Sequence, residues 1–134
     1  MNDFARRMTI GDRAPNFLLD DQDGMRRELY NTDLTGGPIV VLVLGNDAAG
    51  EAVLRDFAAS TDAFARFGAH LYAVLSSERA EAAALATASK AGFPVLADPE
   101  GEVAALYLGA SDIDAPALFA LDPNQRIVAL AGGA

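Results

Sequence analysis

Residues 39–44 read Ile-Val-Val-Leu-Val-Leu, apolar at every position and mostly β-branched. A membrane helix needs about 20 such residues, and a strand with one wet face alternates polar and apolar side chains. This run does neither. It requires a central strand covered on both faces, so the rest of the chain must supply one layer above it and one below.

The flanking pattern supplies them. Residues 51–67 place Val53 or Leu54, Phe57, Thr61, Phe64 and Ala65 at three-to-four spacing, an apolar helical stripe that Gly68 ends in the C′ position. Residues 69–75 form a second buried strand, and a crossover of this length makes the two strands parallel and the connection right-handed. Ser76 or Ser77 is the expected N-cap of a helix over 78–91, with Lys90 in its last turn and Gly92 as its stop. A short strand follows at 94–97. Asp98 as N-cap and Pro99 at the first helical position open a helix through Val103, Leu106 and Tyr107, closed by Gly109. Residues 116–121 and 126–130 are the last two strands, turned at 122–125. Ahead of all these, residues 17–29 read as a β-hairpin with Asp23-Gly24 as a two-residue turn. Residues 1–10 are a lead-in, and 11–134 a single domain. The order specifies an α/β fold: a mixed central sheet with helices on both faces, in three layers, behind an N-terminal β-hairpin.

What the chain lacks narrows its chemistry. The 134 residues contain no cysteine and one histidine. Disulfides, thiolate catalysis and Cys/His metal sites are excluded, and no metal or cofactor is expected. The formal net charge of −9 opposes nucleic acid and anionic membrane as partners. No apolar stretch of signal-peptide type opens the chain, so the cytoplasm is the expected compartment.

Four segments, in order, carry a resemblance. Gly11-Asp12-Arg13-Ala14-Pro15-Asn16-Phe17-Leu18-Leu19 with its Asp-Gly hairpin resembles the opening of peroxiredoxins of the AhpC/TSA family, Gly-Asp-x-Ala-Pro-x-Phe-x-Leu. Gly36-Gly37-Pro38 before the apolar strand is similar to that family's Gly-x-Pro-Val-Val-Leu. Residues 96–110 resemble its Ser-Asp-Pro-x-Gly-x-Val-Ala-x-x-Tyr-Gly segment, and residues 116–130 its Phe-x-Ile-Asp-x-x-Gly-x-Ile strand pair. The resemblance implies a thioredoxin-like fold in which the usual C-terminal helix is absent. It leaves open whether Ala115-Pro116, at the position of that fold's frequent cis-proline, is cis or trans.

The family's functional residues do not carry over. Where it has Pro-x-x-x-Thr/Ser-x-x-Cys, residues 45–57 form a shorter stretch without the cysteine or the hydroxyl residue, and Pro116 stands where its catalytic arginine would be. Thiol peroxidase chemistry needs both the thiolate and the cation that stabilises it. The resemblance therefore implies a vestigial site made of Gly45, Asn46, Asp47, Gly50, Glu51, Asp114 and Pro116, with no catalytic residue. Ser111 and Asp112 are expected on the same rim. Two functions follow as expectations. One is an interaction, homodimerisation or regulatory module, alone or as the N-terminal domain of a longer oxygenase-type protein. The other is a non-thiol acid–base enzyme using Asp47, Glu51 or Asp114 with a bound small molecule. His70 reads as structural or solvated. Asp20, Asp21 and Asp23 read as a solvated hairpin tip, because they do not continue into a calcium-loop pattern.

Overall fold

The computed structural model describes residues 7–30, 37–110, 113 and 115–132. Strand β3 (Ile39–Gly45) takes the apolar run and lies in the middle of a five-stranded sheet. It pairs in parallel with β4 (His70–Ser76) and antiparallel with β6 (Ala117–Leu121). Beyond β4 lies β5 (Val95–Ala97), and beyond β6 lies β7 (Ile127–Gly132), the order being β5-β4-β3-β6-β7. A separate hairpin, β1 (Leu18–Asp20) and β2 (Arg26–Glu28), precedes them.

The pleat of β3 divides the core in two. Ile39, Val41 and Val43 join Phe17, Tyr72, Val103, Tyr107 and Phe119 beneath the hairpin and α4 (Glu102–Leu108). Leu42 and Leu44 point the other way, to Leu54, Ala82, Ala86 and Phe93 under α1 (Ala48–Ala59), α2 (Thr61–Arg66) and α3 (Arg79–Ser89). The helices lie on both faces, as the doubly apolar strand requires. On the first face, Phe17, Tyr107 and Phe119 form a run of ring contacts, with centroids 6.5 and 5.2 Å apart.

Several local expectations are corrected. The stripe over residues 51–67 is two helices broken at Ser60, and the first begins earlier, at Ala48. The Thr61 hydroxyl donates back to Ala58 O (2.9 Å), a side-chain bond that competes with the helical ladder. The break lets Phe57 and Phe64 stack at 5.5 Å. Gly68 does end the second helix: its N–H bonds Ala65 O while Ala69 N–H bonds Phe64 O, a Schellman pair. Neither Ser76 nor Ser77 caps α3; Glu78 does, in a capping box with Glu81. Lys90, not Gly92, takes the left-handed turn that closes it (φ 57°). Gly92 instead packs against Thr61, where a Cβ would lie 3.3 Å from Cγ2 and Thr61 would have to give slightly.

Asp98 caps α4 from three residues before its Gly101 N-cap. The turn over 98–101 brings its carboxylate to the N–H groups of Glu102, Val103 and Ala104 at 3.0–3.2 Å. The N-terminal hairpin turns on three residues rather than two, with Gly24 alone at positive φ (81°). Asp21 accepts from Asp23 N and Met25 N, and Asp122 repeats that device at the β6–β7 turn with Asn124 N and Arg126 N. The Ala115-Pro116 bond is trans. Residues 7–10 are tied to the body: Met8 N–H donates to Tyr107 O, and the Arg7 guanidinium to Gly132 O.

Candidate functional site

The C-terminal ends of β3 and β4, with the start of β6, form the end of the sheet where open α/β folds place ligands. Gly45 ends β3, and only Asn46 and Asp47 separate it from α1. Asp47 is the N-cap, in extended conformation, and its Oδ1 accepts from Gly50 N at 2.8 Å. Its other oxygen lies over Gly45, where a Cβ would come within 2.8 Å of it. A Cβ on Gly50 would overlap the carbonyl oxygen of Gly45. Gly50 is therefore demanded by close approach to backbone, whereas at Gly45 only the Asp47 carboxylate would have to shift, and the connection is folded tightly on itself.

The remaining expected residues are spread out. Glu51 Oε2 accepts from Arg55 Nη2 at 2.7 Å, an exposed pair one helical turn apart. Asn46 is exposed, facing a shallow cleft beside Glu81 and Leu85 of α3. Pro116, half-buried, enters β6 and lines an apolar groove of about 160 Å³ with Leu42, Val53, Phe57, Leu118 and Ala131. Neither Asp47 nor Glu51 reaches that groove. Asp114, Ser111 and Asp112 lie outside the described residues. Ser76, opposite Gly45 in register, keeps its Oγ buried with no hydrogen-bond partner.

Among the described residues, this end offers no nucleophile with a base. Asp47 is committed to the helix and Glu51 to Arg55, so these two do not form a pair of carboxylates around a pocket. Among the described residues no group of three or more acidic or histidine side chains could hold a metal ion. No helix among them is long and apolar enough to cross a membrane.

The aspartate cluster is only partly the solvated tip expected: Asp23 is exposed and Asp20 partly so, but Asp21 is not. Asp21 is 1% exposed and pairs with Arg27 Nε at 2.8 Å. Burial pushes its carboxyl up, but the Arg27 hydrogen bond, the N–H groups of Met25 and Asp23 and the Arg27 charge together hold it below the usual carboxylate value. His70 opens β4 opposite Ile39. The sequence reading missed the apolar groove. Val53 and Phe57 belong to the core stripe, and nothing local says that the small residues of β7 leave them half covered.

Comparison with known proteins places this geometry. The model of the AhpC/TSA family matches residues 10–130. No curated protein matches the sequence. Peroxidoxin BcpB from Mycobacterium tuberculosis superposes with a TM-score of 0.82 at 22% identity, covering 95% of this chain and 87% of that one. A hypothetical protein from Sinorhizobium meliloti gives 0.79 at 25% identity, covering 95% and 72%. A yeast mitochondrial 1-Cys peroxiredoxin gives 0.76 at 19% identity, covering 92% and 67%. These likenesses share a thioredoxin-like fold with the chain.

Proposed function

This chain belongs to the AhpC/TSA family, and we propose that it is a redoxin-fold member that acts by association rather than by catalysis. One observation carries the reading. At the end of the sheet where the family resemblance places a thiol loop, the chain has a two-residue turn closed by Asp47 on Gly50, in a protein without cysteine. No thiolate, and no guanidinium beside one, is available to reduce a peroxide.

The apolar groove next to Pro116 supports association as the use of the scaffold. Leu118 is half-buried and Ala129 and Ala131 are exposed on β7, so no helix among the described residues covers this part of one sheet face. A second copy of the chain is the partner this reading commits to, in the cytoplasm, with residues 11–134 as the folded unit. A covalently following domain is the competing occupant.

Two measurements test it. Light scattering after size-exclusion chromatography is expected to give a dimer whose dissociation follows Leu118→Asp; a monomer at every concentration refutes self-association. Hydrogen peroxide with a dithiol reductant is expected to decay at the buffer rate, and turnover above that rate refutes the non-catalytic reading.

A further inference from the structure

The opposite end of the sheet holds a second cleft, of about 300 Å³, at the lower limit of small-molecule sites. Its floor is the start of β4, His70 and Tyr72, held in register against β3. One wall is α2 with Phe64 and Ala65, and the other is the 92–94 loop with Phe93. That loop is fastened. Gln22 donates through Nε2 to Phe93 O (2.9 Å) and accepts at Oε1 from Val95 N (2.8 Å), and Gly92 abuts Thr61. The cleft is thus formed before anything enters it, which lowers the ordering cost of binding.

Its charge is unusual for this chain. Against a net charge of −9, the only charged side chain lining it among the described residues is Arg27, joined by the imidazole of His70. Arg27 gives Nε to Asp21, and its two terminal nitrogens have no hydrogen-bond partner among the described residues. Asp21 accepts that bond and two backbone N–H groups. The adjoining hollow shares Arg27, Gly92, Phe93 and Pro94 with the cleft and adds Asp21 and Asp23, which oppose a multiply charged anion.

We infer that this cleft binds a small monocarboxylate with an aromatic or branched apolar body. The carboxylate meets the terminal nitrogens of Arg27, a planar fork suited to it. The body packs against Phe64, Tyr72 and Phe93. The inference stands apart from the proposed association, because the cleft shares no residue with the groove at Pro116.

Titration of the full ¹⁵N-labelled chain with 3-phenylpropionate, followed by amide chemical shifts, tests it. Saturable shifts are expected at residues 70–72, 92 and 93. The neutral 3-phenylpropanamide should bind at least about tenfold more weakly, because it lacks the charge-assisted pair. Inorganic phosphate should produce no comparable saturation. Arg27→Gln should abolish carboxylate binding. Since that change also leaves Asp21 without its cation, Ala65→Phe serves as a second variant, blocking the rim without touching the ion pair. Absence of saturable shifts in the cleft overturns the inference. So do equal binding of acid and amide, phosphate saturating as well as the carboxylate, or undiminished binding in a folded Ala65→Phe chain.

Discussion

The side-chain amide of Gln22 and the backbone of Val95, 73 positions apart, are joined at 2.8 Å. With the bond from the same amide to Phe93 O, Gln22 covers the outer edge of β5 as one residue of a neighbouring strand would. Gln22→Ala leaves both backbone groups unpaired, and a loss of about 1–3 kcal/mol in urea unfolding is expected. Faster amide exchange at Val95 is the local signature. Unchanged exchange there would mean that the clip does not hold in solution.

Asp98 is 2% exposed and serves three N–H groups of α4. Asp98→Ala is expected to cost about 2–3 kcal/mol, combining a lost cap with buried unpaired donors. Asp98→Asn, which keeps one acceptor oxygen, should cost less. Thermal unfolding of the pair gives the order, and equal losses would assign the effect to packing.

Tyr107 is fully buried and donates to Pro15 O at 2.7 Å. Burial foremost, then repulsion from Tyr30, raises its phenol well above the usual 10.0. The sign follows from which state ionises: above that value the unfolded chain loses the proton and the folded chain keeps it. The contribution is complete below pH 10 and declines above it, at about 1.4 kcal/mol per pH unit. Tyr107→Phe removes the decline, so the stability difference between wild type and variant should shrink from pH 10 upward. A constant difference contradicts the assignment.

Asp21 has the opposite dependence. Its carboxyl titrates below the usual 3.8 in the folded chain, so the stability it adds is present above that value. It is lost as the pH falls through the folded value. Arg27→Gln should move the acid-unfolding midpoint upward, read by far-ultraviolet circular dichroism. An unmoved midpoint would show that the backbone donors alone hold the charge.

A single cysteine does not restore the family's chemistry. Gly50→Cys must push its Cβ into the Gly45 carbonyl. A destabilisation of about 1–3 kcal/mol is expected, the usual cost of overpacking, with peroxide decay still at the buffer rate. Accelerated decay in a well-folded variant would show that the turn can open.

Much of this was legible because it is local. The apolar run at residues 39–44, the stripe through Val53 and Phe57, and Gly68 and Gly109 as helix stops follow from side chains a few positions apart. The candidate site was legible mainly through its losses. Of the residues assigned to it, Asp47 and Gly50 come together, Glu51 turns to Arg55, and Pro116 belongs to a separate groove. The left-handed residue of the last hairpin shows how a local rule can be overridden. The family pattern places glycine there, and this chain has Gln125 (φ 63°), 4% exposed, its amide oxygen accepting from Arg13 at 3.2 Å.

The sequence by itself determined the layered α/β fold and the absence of thiol chemistry, since both depend on residue identity and short-range periodicity. The tertiary structure decided which polar groups are satisfied and where open surface remains. Asp21 looked solvated and is buried by Arg27, and the amide of Gln22 beside it seals the edge of β5. Pro116, next to the Ala117 that pairs with Val43, also lines an apolar groove. Each outcome depends on groups brought together across the sheet or by side-chain reach, and a hydrogen bond or a buried surface exists only once the chain has closed around it.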